Sequence, residues 1–361
     1  MQPPRRIRVC LFVNHLFWRC VLPRITFQNL PGNAGEQSAI DRSMHQSARK
    51  WRRIRRSVYA SLALAGLCFV VCCWIAGGSL IAPANCTVGA PPNDLPFQST
   101  RLPSESGSEI ATWYLPATGA DATIVLAHGI RGNRRTMLDH ARILHDAGYG
   151  LVLIDLQAHG ESDGEHITVG WLESHDVSAA VQFAREQNPD HSIGILGRSL
   201  GGAASLLAGD VGVDAMVIEA VFPTLHDAVM NRVAMKTGSL SPLLAPALLC
   251  QMKPRLGIDP NEIRPIDHIS EIGCPLLLLC GSEDRHTTVA ESLKMFFAAE
   301  EPKKLVVFED AGHVHLLKHD PEKYKSHLLG FFRCYLNPPT KAPSEEPMAS
   351  IETAERTASG E

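Results

Sequence analysis

Between residues 95 and 336, six short apolar runs rich in branched side chains alternate with longer stretches of helical periodicity. The runs are "ATIVLAHG" (122–129), "GLVLIDL" (150–156), "SIGILG" (192–197), "AMVIEAV" (215–221), "PLLLLCG" (275–281) and "KLVVFE" (304–309). Strands apolar on both faces belong inside a parallel sheet, because only helices packed above and below can cover them. The helical stretches are "TMLDHARILHDAG" (136–148), "WLESHDVSAAVQFAREQ" (171–187), the small-residue run after Ser199, and "PEKYKSHLLGFFRCYL" (321–336), which opens on a proline at a permitted first-turn position. The alternation predicts an α/β fold with a mostly parallel central sheet. Residues 224–261 break the rhythm: they are apolar, interrupted by "GSLSP" and "KPRLG", and read as a small helical cap inserted between two strands.

Upstream, Val58 to Ala82 carries no charge over 25 residues, about the length that spans a bilayer core as a helix. Six cations in "RKWRRIRR" (Arg49 to Arg56) precede it, whereas Pro83 to Thr100 contains no Lys or Arg. The positive-inside rule keeps residues 1–56 cytoplasmic, makes 57–82 a transmembrane anchor and places the catalytic domain outside the cytoplasm. The competing expectation is a cleaved signal segment, with "APA" (82–84) as a small-residue site, which would give a secreted protein. Residues 1–43 lack a periodic apolar pattern, and Met44 stands at the head of an ordinary export layout, a possible true start. Residues 83–104 read as a linker, 105–336 as the catalytic domain, and the Pro-, Ser- and Glu-rich stretch 337–361 as a disordered tail.

A net charge of -4 with 20% charged residues argues against a nucleic-acid binder. The ten cysteines show no CxxC and no Cys/His ligand spacing, which argues against a zinc site.

Ser199 sits in "LGRSLGG" after one apolar strand and before a helix. In that setting a GxSxG stretch works as a nucleophile elbow, with Gly197 and Gly201 letting strand and helix crowd together while the hydroxyl is held at the sheet edge. A serine hydroxyl needs a base and the base needs an orienting acid, in the chain order Ser, acid, His. Asp284 ends the strand in "LLLLCGSED" and His313 follows the next strand in "LVVFEDAGH". Glu283, Glu219 and Asp310 are rival acids, and His315 and His286 rival bases. Two N–H donors are required for the developing oxyanion; Leu200, after the nucleophile, supplies one, and Ile130, after the His128–Gly129 pair, is the second candidate. His128 is expected to support its loop rather than move protons; Arg131, Arg134 and Arg135 could bind an acidic substrate group, but a basic cluster on a loop is more often a solvated face, and they are left unassigned.

The stretches "HGIRGNRRTMLDHARILHDAGYGLVLIDLQAHGESDG", "GILGRSLGGAASL", "GSEDRHT" and "DAGHVHLL" together resemble the α/β-hydrolase superfamily, nearest its serine aminopeptidase-like and bacterial membrane-anchored members, over roughly residues 105 to 336. The resemblance implies an α/β-hydrolase fold and assigns the oxyanion loop to Ile130, a supporting turn to His159 with Gly160, and the triad to Ser199, Asp284 and His313. Gln157 and Ala158 stand where the superfamily usually has Arg and Gly, and its proline after the acid is missing from "GSEDRHTTVA". Both departures bear on substrate shape more than on the triad.

The residues therefore predict a serine hydrolase acting on a carboxylic ester, with no metal or organic cofactor required. A small-molecule ester is the first substrate class and a peptide the second. A non-catalytic, membrane-tethered binding module is the alternative from outside the enzymes, since fold alone does not secure function.

Overall fold

The protein, seen in a computed structural model, is described over residues 34–336 and 350–352. The expectations for residues 1–33, and for most of the tail, lie outside the described residues. The chain divides into two units between Cys68 and Phe69. What is described of the first is the amino-terminal part of one long helix, α1 (Ala34–Ile81), which starts well before Met44 and is long and apolar enough to cross a membrane. Its last turns, from Phe69, belong to the second unit.

The second unit carries the strands β1 (Ala84–Asn85), β2 (Gln98–Pro103), β3 (Glu109–Leu115), β4 (Ala122–Ala127), β5 (Gly150–Ile154), β6 (His159–Gly160), β7 (Ser192–Arg198), β8 (Ala215–Glu219), β9 (Leu276–Gly281), β10 (Lys303–Phe308) and β11 (Ser350–Glu352). β1 and β6 pair with each other, and the other nine form one sheet in the order β11-β10-β9-β8-β7-β4-β5-β3-β2. β3 is antiparallel to both β2 and β5, and every other pairing is parallel. All six strands expected from the apolar runs are present within two residues or so at each end. β2 lies in the stretch expected to be a linker, and β11 is a short edge strand within the stretch expected to be a disordered tail; it pairs with Lys304–Val306.

Helices cover both faces of the sheet, as strands buried on both sides demand. One face packs the apolar side of α3 (Glu173–Gln187) and of α4 (Leu200–Leu207), with Val177, Ala180, Ala203 and Ala204 buried against Val125, Ile195 and Ile218. The other packs α2 (Leu138–Asp146) and Pro321–Leu336 through Leu144, Tyr324, Leu328 and Phe332 against Ile124, Leu196 and Val217. Between β8 and β9 the chain forms α5 (Leu225–Thr237), α6 (Ser241–Leu249) and α7 (Met252–Leu256), the inserted helical segment expected over 224–261. Thr224 caps α5 by accepting from the Asp227 N–H, and Gly238, at φ 57, ends it.

At the crossing of β7 and α4 the two elements meet at backbone contact. A Cβ on Gly197 would lie 2.6 Å from the Gly202 Cα, and one on Gly201 would overlap the Ala127 carbonyl. Neither neighbour is a side chain that can rotate away. We therefore expect Gly201→Ala to lower stability by about 2–3 kcal/mol through overpacking. Urea unfolding should show this as a fall in midpoint at an unchanged slope; a wild-type midpoint would mean that α4 can slide without cost.

Candidate active site

Ser199 stands at the carboxyl end of β7 with φ 49 and ψ -109, a conformation that a residue with a side chain adopts only when its surroundings force it. Two backbone bonds supply the force. The Ser199 N–H donates to the Glu219 carbonyl (2.7 Å), and the Gly201 N–H donates to the His128 carbonyl (3.0 Å), which ties the elbow to the loop after β4. Gly129 of that loop faces Ser199, since a Cβ added there would lie 3.6 Å from the serine Cβ. The N–H groups of Leu200 and Ile130 take no part in a hydrogen bond among the described residues, which leaves both free for an oxyanion.

Asp284 lies in the loop after β9 and His313 in the loop after β10, and their side chains meet: His313 Nδ1 is 2.7 Å from Asp284 Oδ2. The other oxygen, Oδ1, accepts from the N–H groups of His286 (2.7 Å) and Thr287 (3.0 Å). Burial opposes ionisation of Asp284, but His313 and these two N–H donors outweigh it and hold the carboxyl below its ordinary range. The Asp284 side chain is fully buried while His313 keeps 21% of its side chain exposed. The acid is thus shielded and the imidazole reachable. Thr287 also donates to the Ala220 carbonyl (3.2 Å), which fastens this loop to the strand end beside Ser199. The two backbone donors to Asp284 were not anticipated, although an aspartate two and three residues ahead of free N–H groups is the pattern of an Asx turn.

The rival residues have other occupations. His286 stacks on His313 with ring centroids 4.6 Å apart, and burial lowers its pKa. His315 packs its ring 4.8 Å from that of His140, and burial lowers its pKa to about 4. Glu283 and Asp310 are exposed on the loops. Glu219 is fully buried behind the elbow, where it accepts from Tyr324 Oη (2.9 Å) and pairs with Arg198 Nε (3.1 Å), with His140 at 3.7 Å. His128 is buried, with Nε2 accepting from the Leu156 N–H (3.1 Å) and Nδ1 therefore donating to the Gly129 carbonyl (2.8 Å). Burial, with His159 adding to it, pushes its pKa down to about 3, so it is a neutral brace for the oxyanion loop. His159, also buried, is 5.2 Å from His128 and binds the Gln157 carbonyl through Nδ1.

Of the three arginines of this loop Arg134 is buried and Arg131 and Arg135 are exposed, and all three guanidinium groups are engaged. Arg134 is buried between Asp155 and Glu161, 4.6 Å over the Trp113 ring. Arg135 donates to the Val88 and Ala90 carbonyls, and Arg131 to those of Ser79 and Leu80. The unpaired carbonyls of extended and helix-end backbone drew them in, a signal that a loop sequence does not display. Gln157 is equally well placed for its departure from the usual pattern: its Nε2 donates to Glu173 Oε1 (2.9 Å) and the His166 carbonyl.

Glu219 makes the second unit sensitive to acid. Burial alone would raise its pKa, yet His140, Arg198 and Tyr324 bring it from an ordinary 4.5 down to about 2. A carboxyl depressed on folding stabilises the protein above its unfolded pKa, and the contribution disappears as pH falls from about 4.5 toward 2. A shift of this size corresponds to about 3 kcal/mol. Glu219→Gln should lose that amount at pH 7, and the gap from wild type in urea midpoints should close between pH 5 and 2. Parallel pH profiles of the two proteins would assign the acid sensitivity elsewhere.

Comparison with known proteins bears on the fold. The family described as "Serine aminopeptidase, S33" matches residues 118–263. The uncharacterized protein YqkD of Bacillus subtilis is 24% identical over 217 residues, which cover 59% of this chain and 71% of that protein. Among solved structures, the Pyrococcus furiosus esterase Pf2001 superposes with a TM-score of 0.60 at 21% identity, over 71% of this chain and 98% of the esterase. The α/β hydrolase GrgF from Penicillium sp. sh18 gives 0.54 at 20% identity, over 67% and 100%. The family match runs over the elbow and the loop after β4, and the sheet is shared with these hydrolases: the chain has the α/β-hydrolase fold.

Proposed function

We propose that the protein is a membrane-anchored serine hydrolase that cleaves a carboxylic ester or related acyl bond by way of an acyl-enzyme, with Ser199 as nucleophile, His313 as base and then acid, and Asp284 as orienting acid. The observation that carries this reading is the His313–Asp284 hydrogen bond of 2.7 Å, at the same carboxyl edge of the sheet as an elbow serine held at positive φ. With Nδ1 engaged by Asp284, Nε2 is the nitrogen left to take the Ser199 proton. Ser199 Oγ attacks the acyl carbon, and the oxyanion is received by the free N–H groups of Leu200 and Ile130. His313 then protonates the leaving alcohol, the acyl-enzyme forms, and water activated by the same imidazole releases the acid.

An ester is favoured over a peptide with a free amino terminus, because recognition of that ammonium calls for an unengaged carboxylate. Those of the cap are committed: Asp227 accepts from Thr224 Oγ1 (2.6 Å) and Asp259 from the Asn261 N–H (3.0 Å). Glu291, beside the cap, is taken by Asn231 and Thr288. The anchor reading is supported by the exposed apolar surface of α1 and by the six cations that precede its uncharged stretch.

A fluorophosphonate probe should label the full chain in detergent and fail to label Ser199→Ala. Asp284→Asn should lower kcat on a p-nitrophenyl ester by roughly a thousand- to ten-thousandfold, with a much smaller change in KM. A folded wild type that neither labels nor turns over esters would remove the hydrolase reading and leave the tethered binding module.

A further inference from the structure

The end of α1 does not leave the second unit as a free tether. Its Cys73 carbonyl accepts from Gln251 Nε2 (2.9 Å), its Trp74 carbonyl from Arg255, and its Ser79 and Leu80 carbonyls from Arg131 (2.7 and 3.3 Å). The Arg255 guanidinium also lies 3.8 Å from the centre of the Trp74 ring. Gln251 and Arg255 flank and belong to α7 of the cap, and Arg131 follows the oxyanion-loop residue Ile130. The apolar helix is therefore fastened to both walls of the candidate active site.

Gln251 also shows which side of the cap this is. The Nε2 that reaches Cys73 donates as well to the Ala247 carbonyl of α6 (2.7 Å). Leu243 lies four residues before Ala247 and so shares its helix face, with Leu240 one turn earlier. Leu243 is 63% exposed, Leu240 57% and Met235, on α5, 48%. The adjoining end of α1 exposes Val71, Trp74, Ile75 and Leu80. Apolar side chains so grouped mark a surface with a partner. The helix that this face adjoins points to which one. α1 is long and apolar enough to cross a membrane, and so by length and composition is the cap stretch Leu225–Leu256. An apolar face continuous with such a helix fits the acyl region of a lipid leaflet.

We propose that the cap lies in the membrane leaflet next to the end of α1, inserting Met235, Leu240 and Leu243 among the acyl chains, so that the site takes its ester from that leaflet. This rests on the hydrolase and anchor readings above. The substrate class is then a membrane-resident acyl ester, such as a monoacylglycerol, whose alcohol stays at the surface while its chain passes beneath the cap.

The test uses the full chain in vesicles of phosphatidylethanolamine and phosphatidylglycerol doped with an alkyne-bearing phosphatidylcholine. With photoreactive p-benzoylphenylalanine in place of Leu243, irradiation should give a lipid adduct; in place of Asp190, exposed at the opposite edge of the sheet, it should not. No adduct at 243, or one to a second copy of the chain, overturns the leaflet contact, and this readout needs no activity. The supply of substrate is read separately. The double variant Leu240→Glu, Leu243→Glu should turn over soluble p-nitrophenyl butyrate as wild type does, but a monoacylglycerol dissolved in the vesicles about tenfold more slowly. Equal rates relative to wild type on the two esters overturn that half. A wild type inactive on both esters that still forms the adduct at 243 would fail the hydrolase reading and leave the leaflet contact standing.

Discussion

The rest of the candidate site depends on the crossing of β7 and α4 at backbone contact. Gly197 and Gly201 permit it, and the close approach turns the chain so sharply that Ser199 is held at φ 49. Strain of this kind costs on the order of 1–3 kcal/mol and persists only where neighbours over-determine it. Here the neighbours are the Glu219 and His128 carbonyls, which accept from Ser199 and Gly201. Both bonds also connect the serine to something it needs. The first registers it against the strand end that the Asp284 loop grips through Thr287, and the second holds the oxyanion loop at its side. Constraint on one residue thus fixes the positions of Ser199, the Asp284 loop and the loop carrying Ile130 relative to one another.

Buried carboxylates divide into those that support the frame and the one proposed as the orienting acid, and their donors tell them apart. Glu173 accepts from the Thr168 and Gly170 N–H groups, from Thr168 Oγ1 and from Gln157. Glu219 is surrounded by Tyr324, Arg198 and His140, and Asp155 by Arg134 and the Glu161 N–H. None of these partners opens to the surface with a group that could shuttle a proton. Asp284 alone among them gives one oxygen to backbone N–H groups and the other to a partly exposed imidazole. A carboxylate held on one side by fixed donors can orient a base without moving. That asymmetry separates it from Glu219, which ends a strand just as visibly in the sequence.

How much was legible follows from range. The elbow is a local matter of strand, glycine, serine, glycine and helix within one dozen residues, so its sequence was sufficient. The acid and the base were narrowed to strand ends by topology, but what occupies His286 and His315 is ring packing against His313 and His140, residues distant in the chain, which no short pattern encodes. β2 was hidden because it is an edge strand with "QSTRLP" exposed along most of its length, so neither continuous burial nor clean alternation marks it. The helix Val289–Ala298 was missed for a lesser reason. Thr288 and Glu291 form a capping box that the sequence does display, next to an apolar run that is the stronger signal.

The arginines of the oxyanion loop show why a charge cluster is the hardest feature to read from sequence. Each guanidinium is spent on backbone or carboxylate groups that precede or flank the sheet: Arg131 on the end of α1, Arg135 on Val88 and Ala90, Arg134 on Asp155 and Glu161. A loop that must present the Ile130 N–H at a fixed point cannot rely on side-chain packing, since Ile130 itself is 38% exposed. Rigidity has to come from straps, and a planar fork with several donors is suited to gripping two acceptors at once. Two of the straps run to the end of the apolar helix and to the segment just after it, so that stretch braces the loop as well as connecting two parts of the chain. The loop carrying Ile130 is thus held by the same helix end that also holds the cap, through Gln251 and Arg255.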